Sequence, residues 1–134
     1  MKGTGLFCAI AGSGDAATGL LLVSAPALVL RLLGIAHADG ESLVFLRFVG
    51  VFVGCVGLAY FYPWLMRDRL RRAGRVVAAF EITAGFRLAV ALFLGVAVAA
   101  GALDLPWVTV GVYDAVVGLV QLGLLARGEP GHVG

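Results

Sequence analysis

Five charged side chains and one glutamine interrupt the apolar stretches of this chain: Asp15, Arg47, Glu81, Arg87, Asp114 and Gln121. Carboxylates in a low-dielectric interior can hold a proton, receive a cation or do acid and base work, and arginines beside them can cancel their charge. An unpaired charge at a bilayer centre costs about 2.5–3.5 kcal/mol on the insertion scale, so pairing is the first expectation. Helices rise about 1.5 Å per residue. On that rise Asp15 and Arg87 fall near mid-depth, Asp114 and Arg47 in the outer half, and Glu81 in the inner half. Arg47 is then expected to reach Asp114, and Arg87 to reach Asp15 or Glu81. Three acids against two arginines leave one carboxyl over. That carboxyl must take a proton, reach an interface, or meet a cationic ligand or partner.

The surrounding sequence narrows the chemistry. No nucleophile, metal set or cofactor motif accompanies the charges, which argues against an enzyme and predicts no cofactor. His37 and His132 lie outside the apolar runs, so no histidine is placed to ligate an intramembrane haem. Cys8 and Cys55 lie inside apolar runs and form no CxxC, which predicts two reduced thiols. Gly12, Ser13, Gly14 and Ala17 imitate a dinucleotide-binding string, but the strand and helix start that such a string needs are missing.

The elements that must position these residues follow from composition. Of 134 residues, 61% are hydrophobic and 13% charged, against roughly a quarter charged in ordinary soluble domains. Mean hydropathy is +1.03. A bilayer core of roughly 30 Å takes about 20 apolar residues per helix. Four such stretches occur, at about 6–23, 43–66, 76–100 and 107–126. The first run stays apolar to Ile35, too long for one upright helix. Pro26 breaks it, since proline starts helices and disrupts their interiors. A short interfacial helix over 26–33, capped by Gly34, is expected. A signal peptide is the rival reading of the first stretch, but Asp15 interrupts its apolar region and Pro26 crowds the cleavage site. The predicted fold is all-α: an integral membrane four-helix antiparallel bundle with one interfacial helix after the first span.

Charge sets the expected orientation. The segment 67–75 holds five arginines, Arg67, Arg69, Arg71, Arg72 and Arg75, whereas the other connections carry Asp39 with Glu41, and Asp104. Short cytoplasmic loops are enriched in Lys and Arg, so both termini are expected in the cytoplasm of a multi-pass cell-membrane protein. Trp64 with Tyr60 and Tyr62, and Trp107 on the other side, suit the interfacial aromatic belts. The arginine run could also attract anionic lipid headgroups. Nucleic-acid binding has no other support.

Small residues share faces with the polar ones. Steps of three and four place Gly5, Cys8, Gly12, Asp15 and Gly19 on one stripe, and Arg47, Gly50, Gly54, Gly57 and Phe61 on another. The fourth span repeats this with Gly111, Asp114, Gly118 and Gln121. Small residues mark close helix contacts and polar residues avoid lipid, so these faces are expected to point inward. In the third span Glu81, Gly85, Leu88 and Gly95 form one stripe, with Thr83 and Arg87 about a third of a turn away.

Three features resemble the small four-helix DoxX-like bacterial membrane proteins. They are the segment from Pro26 to Ile35 ending Leu-Leu-Gly-Ile, the Arg47-Phe48-Val49-Gly50 string with Gly57 beyond it, and the four-span length. The resemblance implies a four-helix bundle in the bacterial inner membrane and an accessory role beside a membrane redox enzyme. It brings no catalytic residues. Asp15 superficially matches the first-helix carboxylate of small multidrug transporters, but the residues around that carboxylate have no counterpart here, and the polar elements of fluoride channels are also missing. The leading expectation is a non-catalytic binding or accessory module. Its partners would be membrane lipid, a hydrophobic ligand such as a quinone, or a membrane partner subunit. The alternative is a proton-coupled small-molecule transporter acting as a homodimer.

Overall fold

The computed structural model describes residues 2–35, 39–65 and 71–132. His37, Arg67 and Arg69 lie outside the described residues. The helices run α1 (Lys2–Ser24), α2 (Pro26–Leu32), α3 (Gly40–Ala59), α4 (Tyr62–Leu65), α5 (Arg72–Ala99) and α6 (Trp107–Ala126), followed by a 3-10 turn at Glu129–His132. Among the described residues there is no strand. Four helices are long and apolar enough to cross a membrane, and in one of them as little as 11% of the residues is buried within the protein. Faces that apolar and that uncovered belong in lipid. This is a multi-pass, all-α membrane protein built on a four-helix bundle.

Local signals account for the helix ends. Pro26 opens α2, and the chain leaves α1 through Ala25 in a non-helical conformation. Gly34 has φ of 79° and closes α2, with its N–H donating to the Arg31 carbonyl and that of Ile35 donating to the Leu30 carbonyl. Only glycine takes this left-handed turn without cost. Gly101 ends α5 in the same way, at φ 71°. The second span stops earlier than expected. Instead of continuing to residue 66, α3 ends at Ala59, and the chain turns at Tyr60 and Phe61 before α4. Pro63 is the reason: it lacks the N–H that would bond back to Ala59, and its ring would clash there, whereas the first turn of α4 accepts it. The third span starts earlier than expected, because Arg72 and Arg75 already belong to α5.

Asp39 caps α3, its Oδ1 accepting the Ser42 N–H at 2.7 Å. Hydrogen bonding from Ser42, by its side chain first and then by this backbone N–H, holds the Asp39 carboxyl below its ordinary value. The lowered folded value makes the cap a stabilising contact at neutral pH, fully present above the unfolded carboxyl's pKa of about 3.9 and lost as pH falls through the folded value. Hydrogen exchange at the Ser42 and Leu43 amides should therefore quicken in Asp39→Ala at pH 7. The wild type should approach the variant only in acid. Equal exchange at neutral pH would show that the cap carries no weight.

Packing organises the bundle as two tight pairs, α1 with α3 and α5 with α6. The α1–α3 seam is made of backbone. A Cβ on Gly57 would stand 2.5 Å from the Ala16 nitrogen and 2.7 Å from the Gly12 carbonyl oxygen, and one on Gly19 2.5 Å from the Gly54 nitrogen. The helices touch because these positions have no side chain, which is how membrane helices maximise dispersion contact. The two pairs meet differently, with few close backbone approaches apart from α3 and α4 against α5. Long side chains fill that junction. Phe7, Tyr60 and Phe80 form an aromatic cluster, with Phe7 and Phe80 centroids 5.4 Å apart, and Cys8, Ala11 and Val76 complete this core.

Candidate functional site

Directly beyond the aromatic cluster, the junction becomes ionic. Arg87, near the middle of α5, extends its guanidinium between the two helix pairs. Its Nη2 donates to Asp15 Oδ2 on α1, its Nη1 to Asp114 Oδ1 on α6, and its Nε to the Tyr60 hydroxyl at 3.2 Å. Three nitrogens with fixed directions thus bind groups from three other parts of the fold, which suits the rigid fork of arginine and not a lysine ammonium. The Tyr113 and Tyr60 rings lie 5.6 and 5.9 Å from the guanidinium carbon, within cation–π range. Arg87 is 4% exposed and Asp15 5%.

Each partner arrives through the helix faces already described. Asp15 shares the buried α1 stripe with Cys8, Gly12 and Gly19, and its Cβ would meet a Cβ on Gly57 at 3.0 Å. The glycine seam therefore sets how close Asp15 comes to α3. Asp114 lies between the buried Gly111 and Gly118 on α6, and Gly118 packs against Leu88 and the Cβ of Arg87. Nearby, Gln121 donates to the Thr83 hydroxyl at 2.7 Å, and Thr83 donates to the Ala79 carbonyl at 2.6 Å. This second polar contact ties α6 to α5 and gives the Gln121 amide nitrogen and the Thr83 hydroxyl partners away from lipid, while Gln121 Oε1 is buried without one.

Of the six residues singled out from the sequence, Asp15, Arg87 and Asp114 come together in one cluster, and Gln121 lies buried on the same α6 stripe. Arg47 and Glu81 do not join them. Both are exposed, on α3 and α5 respectively, and no ion pair links Arg47 to Asp114 or Arg87 to Glu81. The inward face of α5 is also not the Glu81, Gly85, Leu88 and Gly95 stripe. It carries Val76, Phe80, Thr83, Ala84, Arg87 and Leu94, while Glu81, Gly85 and Gly95 face outward. Depth along a helix predicts which charges share a level but not which way each one points. Azimuth is what separates Arg47 from Asp114.

Two members of the site were missed. Tyr60, expected in an interfacial belt, is fully buried with its ring in the aromatic core. A signal was present, because the α3 stripe continues from Gly57 by three residues to Tyr60 as readily as by four to Phe61. Both continuations point inward, since Phe61 packs over Gly12. Tyr113 left no such signal.

The cluster has unequal charge and an unequal covering. One guanidinium faces two carboxylates. The Asp114 side chain keeps 16% of its surface and Tyr113 keeps 49%, so the site is accessible from the α6 side and sealed on the Asp15 side. Such a site can hold a proton, or bind a cation or a hydrogen-bond donor at Asp114. No family model, curated protein or solved structure matches this chain.

Proposed function

We propose that the protein is a non-catalytic membrane binding or accessory module whose Arg87 cluster receives the polar head of a hydrophobic ligand, or a polar residue of a partner subunit. The observation that carries this reading is the partly exposed Asp114 carboxylate beside Tyr113, in a cluster whose other charges are covered. A ligand approaching laterally through lipid would present a donor such as a quinol or lipid hydroxyl to Asp114 and lay its apolar body along α6. The arginine segment at 67–75, which outweighs Arg31 in the first connection, supports an orientation with both termini in the cytoplasm. The likeness to DoxX-like proteins supports an accessory role beside a redox enzyme of a bacterial inner membrane.

Native mass spectrometry from mild detergent tests the reading. Wild-type protein should retain a small lipid-class molecule or a partner chain. Asp114→Asn should lose it, because the amide brings no charge and puts a donor where an acceptor is needed, and Arg47→Ala should keep it. Bare protein in every sample would sink the reading. A second reading, a proton-coupled transporter acting as a homodimer, is favoured by the surplus carboxylate. It requires liposome flux that falls in both Asp15→Asn and Asp114→Asn.

A further inference from the structure

Two charged side chains of the α5–α6 pair, Glu81 and Arg127, have no ion-pair partner among the described residues. Glu81 is exposed on α5 within its apolar stretch, and Arg127, also exposed, directly follows the last turn of α6. Glu129, the acid nearest to Arg127 in sequence, directs its carboxylate toward Gly3 of α1 instead. A carboxylate on the lipid side of a span is costly and calls for a partner at its own depth. The Arg87 cluster occupies the buried faces of α5 and α6, so the role of Glu81 and Arg127 is independent of either reading above.

The contacts between α5 and α6 set the relative depth of the two charges. Gln121 meets Thr83, and Gly118 packs against Arg87 and Leu88, so residue numbers fall on α6 as they rise on α5. Continued to the end of α6, this register sets Arg127 about 4.5 Å from the level of Glu81, at about 1.5 Å per residue. An arginine side chain spans that offset. The faces that carry the two charges also match in spacing. Gly85 follows Glu81 by four residues, Gly123 precedes Arg127 by four, and Leu92 and Val116 lie eleven residues from the same two charges. Steps of four and eleven keep residues on one side of a helix. All of these residues are exposed, and a Cβ at Gly85 or Gly123 would meet nothing within 4 Å.

We propose that these faces form the interface between two copies of this chain in the membrane, with Glu81 of each copy paired to Arg127 of the other. Two copies inserted with the same orientation are related by a two-fold axis along the bilayer normal, which keeps every residue at its own depth. The α5 helix of one copy then runs antiparallel to α6 of the other. Setting Glu81 opposite Arg127 brings Gly85 opposite Gly123 and Leu92 opposite Val116. The two bare glycines let the backbones approach, as at the α1–α3 seam. Because such an interface is isologous, the ion pair forms twice and cancels the unpaired acid and base of both copies. The charge, its opposite and their common spacing all lie on one chain, which a second copy requires and an unrelated partner does not.

Fluorescence energy transfer in liposomes tests the interface, with donor and acceptor dyes on Cys55, which is exposed while Cys8 is buried. Wild-type protein should show transfer that rises with the protein-to-lipid ratio and saturates as a two-body association. Glu81→Arg and Arg127→Glu each put two like-charge pairs into the dimer. Each should weaken association at least about tenfold, the low end of the coupling between close interfacial charges. Mixing the two variants should restore association to near the wild-type level, because the mixed dimer regains both pairs with their signs exchanged. Gly123→Leu should abolish transfer while leaving the charges in place. All three positions are exposed in the single copy, so these changes leave its fold intact. Wild-type protein that stays monomeric at every ratio would overturn the interface. So would charge variants that associate as tightly as wild type, or that gain nothing on mixing, since a dimer built on other faces would then account for the transfer.

Discussion

Arg87→Met is expected to destabilise the protein by about 3–5 kcal/mol, the cost of removing one partner from a buried charge pair. The reason is the geometry of the junction: one guanidinium satisfies Asp15, Asp114 and Tyr60 at once, and methionine fills similar space while leaving both carboxylates unpaired. The effect should fall on the contact between the two helix pairs, because few backbone contacts connect α1 to α5 and α6. Reversible unfolding in mixed micelles would measure the loss. The decisive comparison is the triple variant Arg87→Met, Asp15→Asn, Asp114→Asn. Removing the charges together should recover much of the stability, since amides cost far less to bury than unpaired carboxylates. A single variant that loses under about 1 kcal/mol would show that the junction does not depend on the ion pairs, given the ~1 kcal/mol ordinary scale of point substitutions. Arg87→Lys should fall between wild type and methionine, because an ammonium supplies charge but not the three fixed directions.

A methyl group at Gly57 is expected to have the second large effect. Gly57→Ala places its Cβ 2.5 Å from a backbone nitrogen and 2.7 Å from a carbonyl oxygen of α1, and Gly19→Ala meets the α3 backbone just as closely. Neither clash can be relieved by rotating a side chain, so the helices must separate and many dispersion contacts weaken together. Overpacking of this kind costs about 1–3 kcal/mol, and a rigid backbone contact belongs at the upper end. The change should also displace Asp15, which sits on the same seam. Gly85→Ala and Gly95→Ala provide the contrast. Nothing lies within 4 Å of a Cβ at either position, so the better helix propensity of alanine should leave stability unchanged or raise it by up to about 1 kcal/mol. Identical losses at Gly57 and Gly95 would refute the assignment of the seam to α1 and α3.

These two predictions depend on different kinds of information. Features that report on a few neighbouring residues were legible in the sequence. The bounds of α6 at Trp107 and Ala126, the break before Pro26 and the cap at Gly34 follow from hydropathy, proline chemistry and the left-handed turn. The inward stripes of α1 and α6 were also legible, because there the small and polar residues coincide on one face. On α5 they do not coincide. Gly85 and Gly95 suggested one face, whereas Phe80, Thr83 and Arg87 occupy the buried one. Glycine frequency marks a contact only where a neighbouring backbone comes close, and α6 instead packs on α5 through Leu88, Ala91 and Leu94.

By itself, the sequence determined that this chain folds as four helices long and apolar enough to cross a membrane and that Asp15, Asp114 and Gln121 lie on the inward stripes of α1 and α6, because length, hydropathy and helical period are local properties. Only the tertiary structure decided that Arg87 binds both aspartates, that Tyr60 turns inward to meet it, and that Arg47 and Glu81 remain outside. The physical reason is that pairing depends on the rotation of each helix about its axis. That rotation is set by packing across the whole bundle, above all by the glycine seam that brings α1 onto α3.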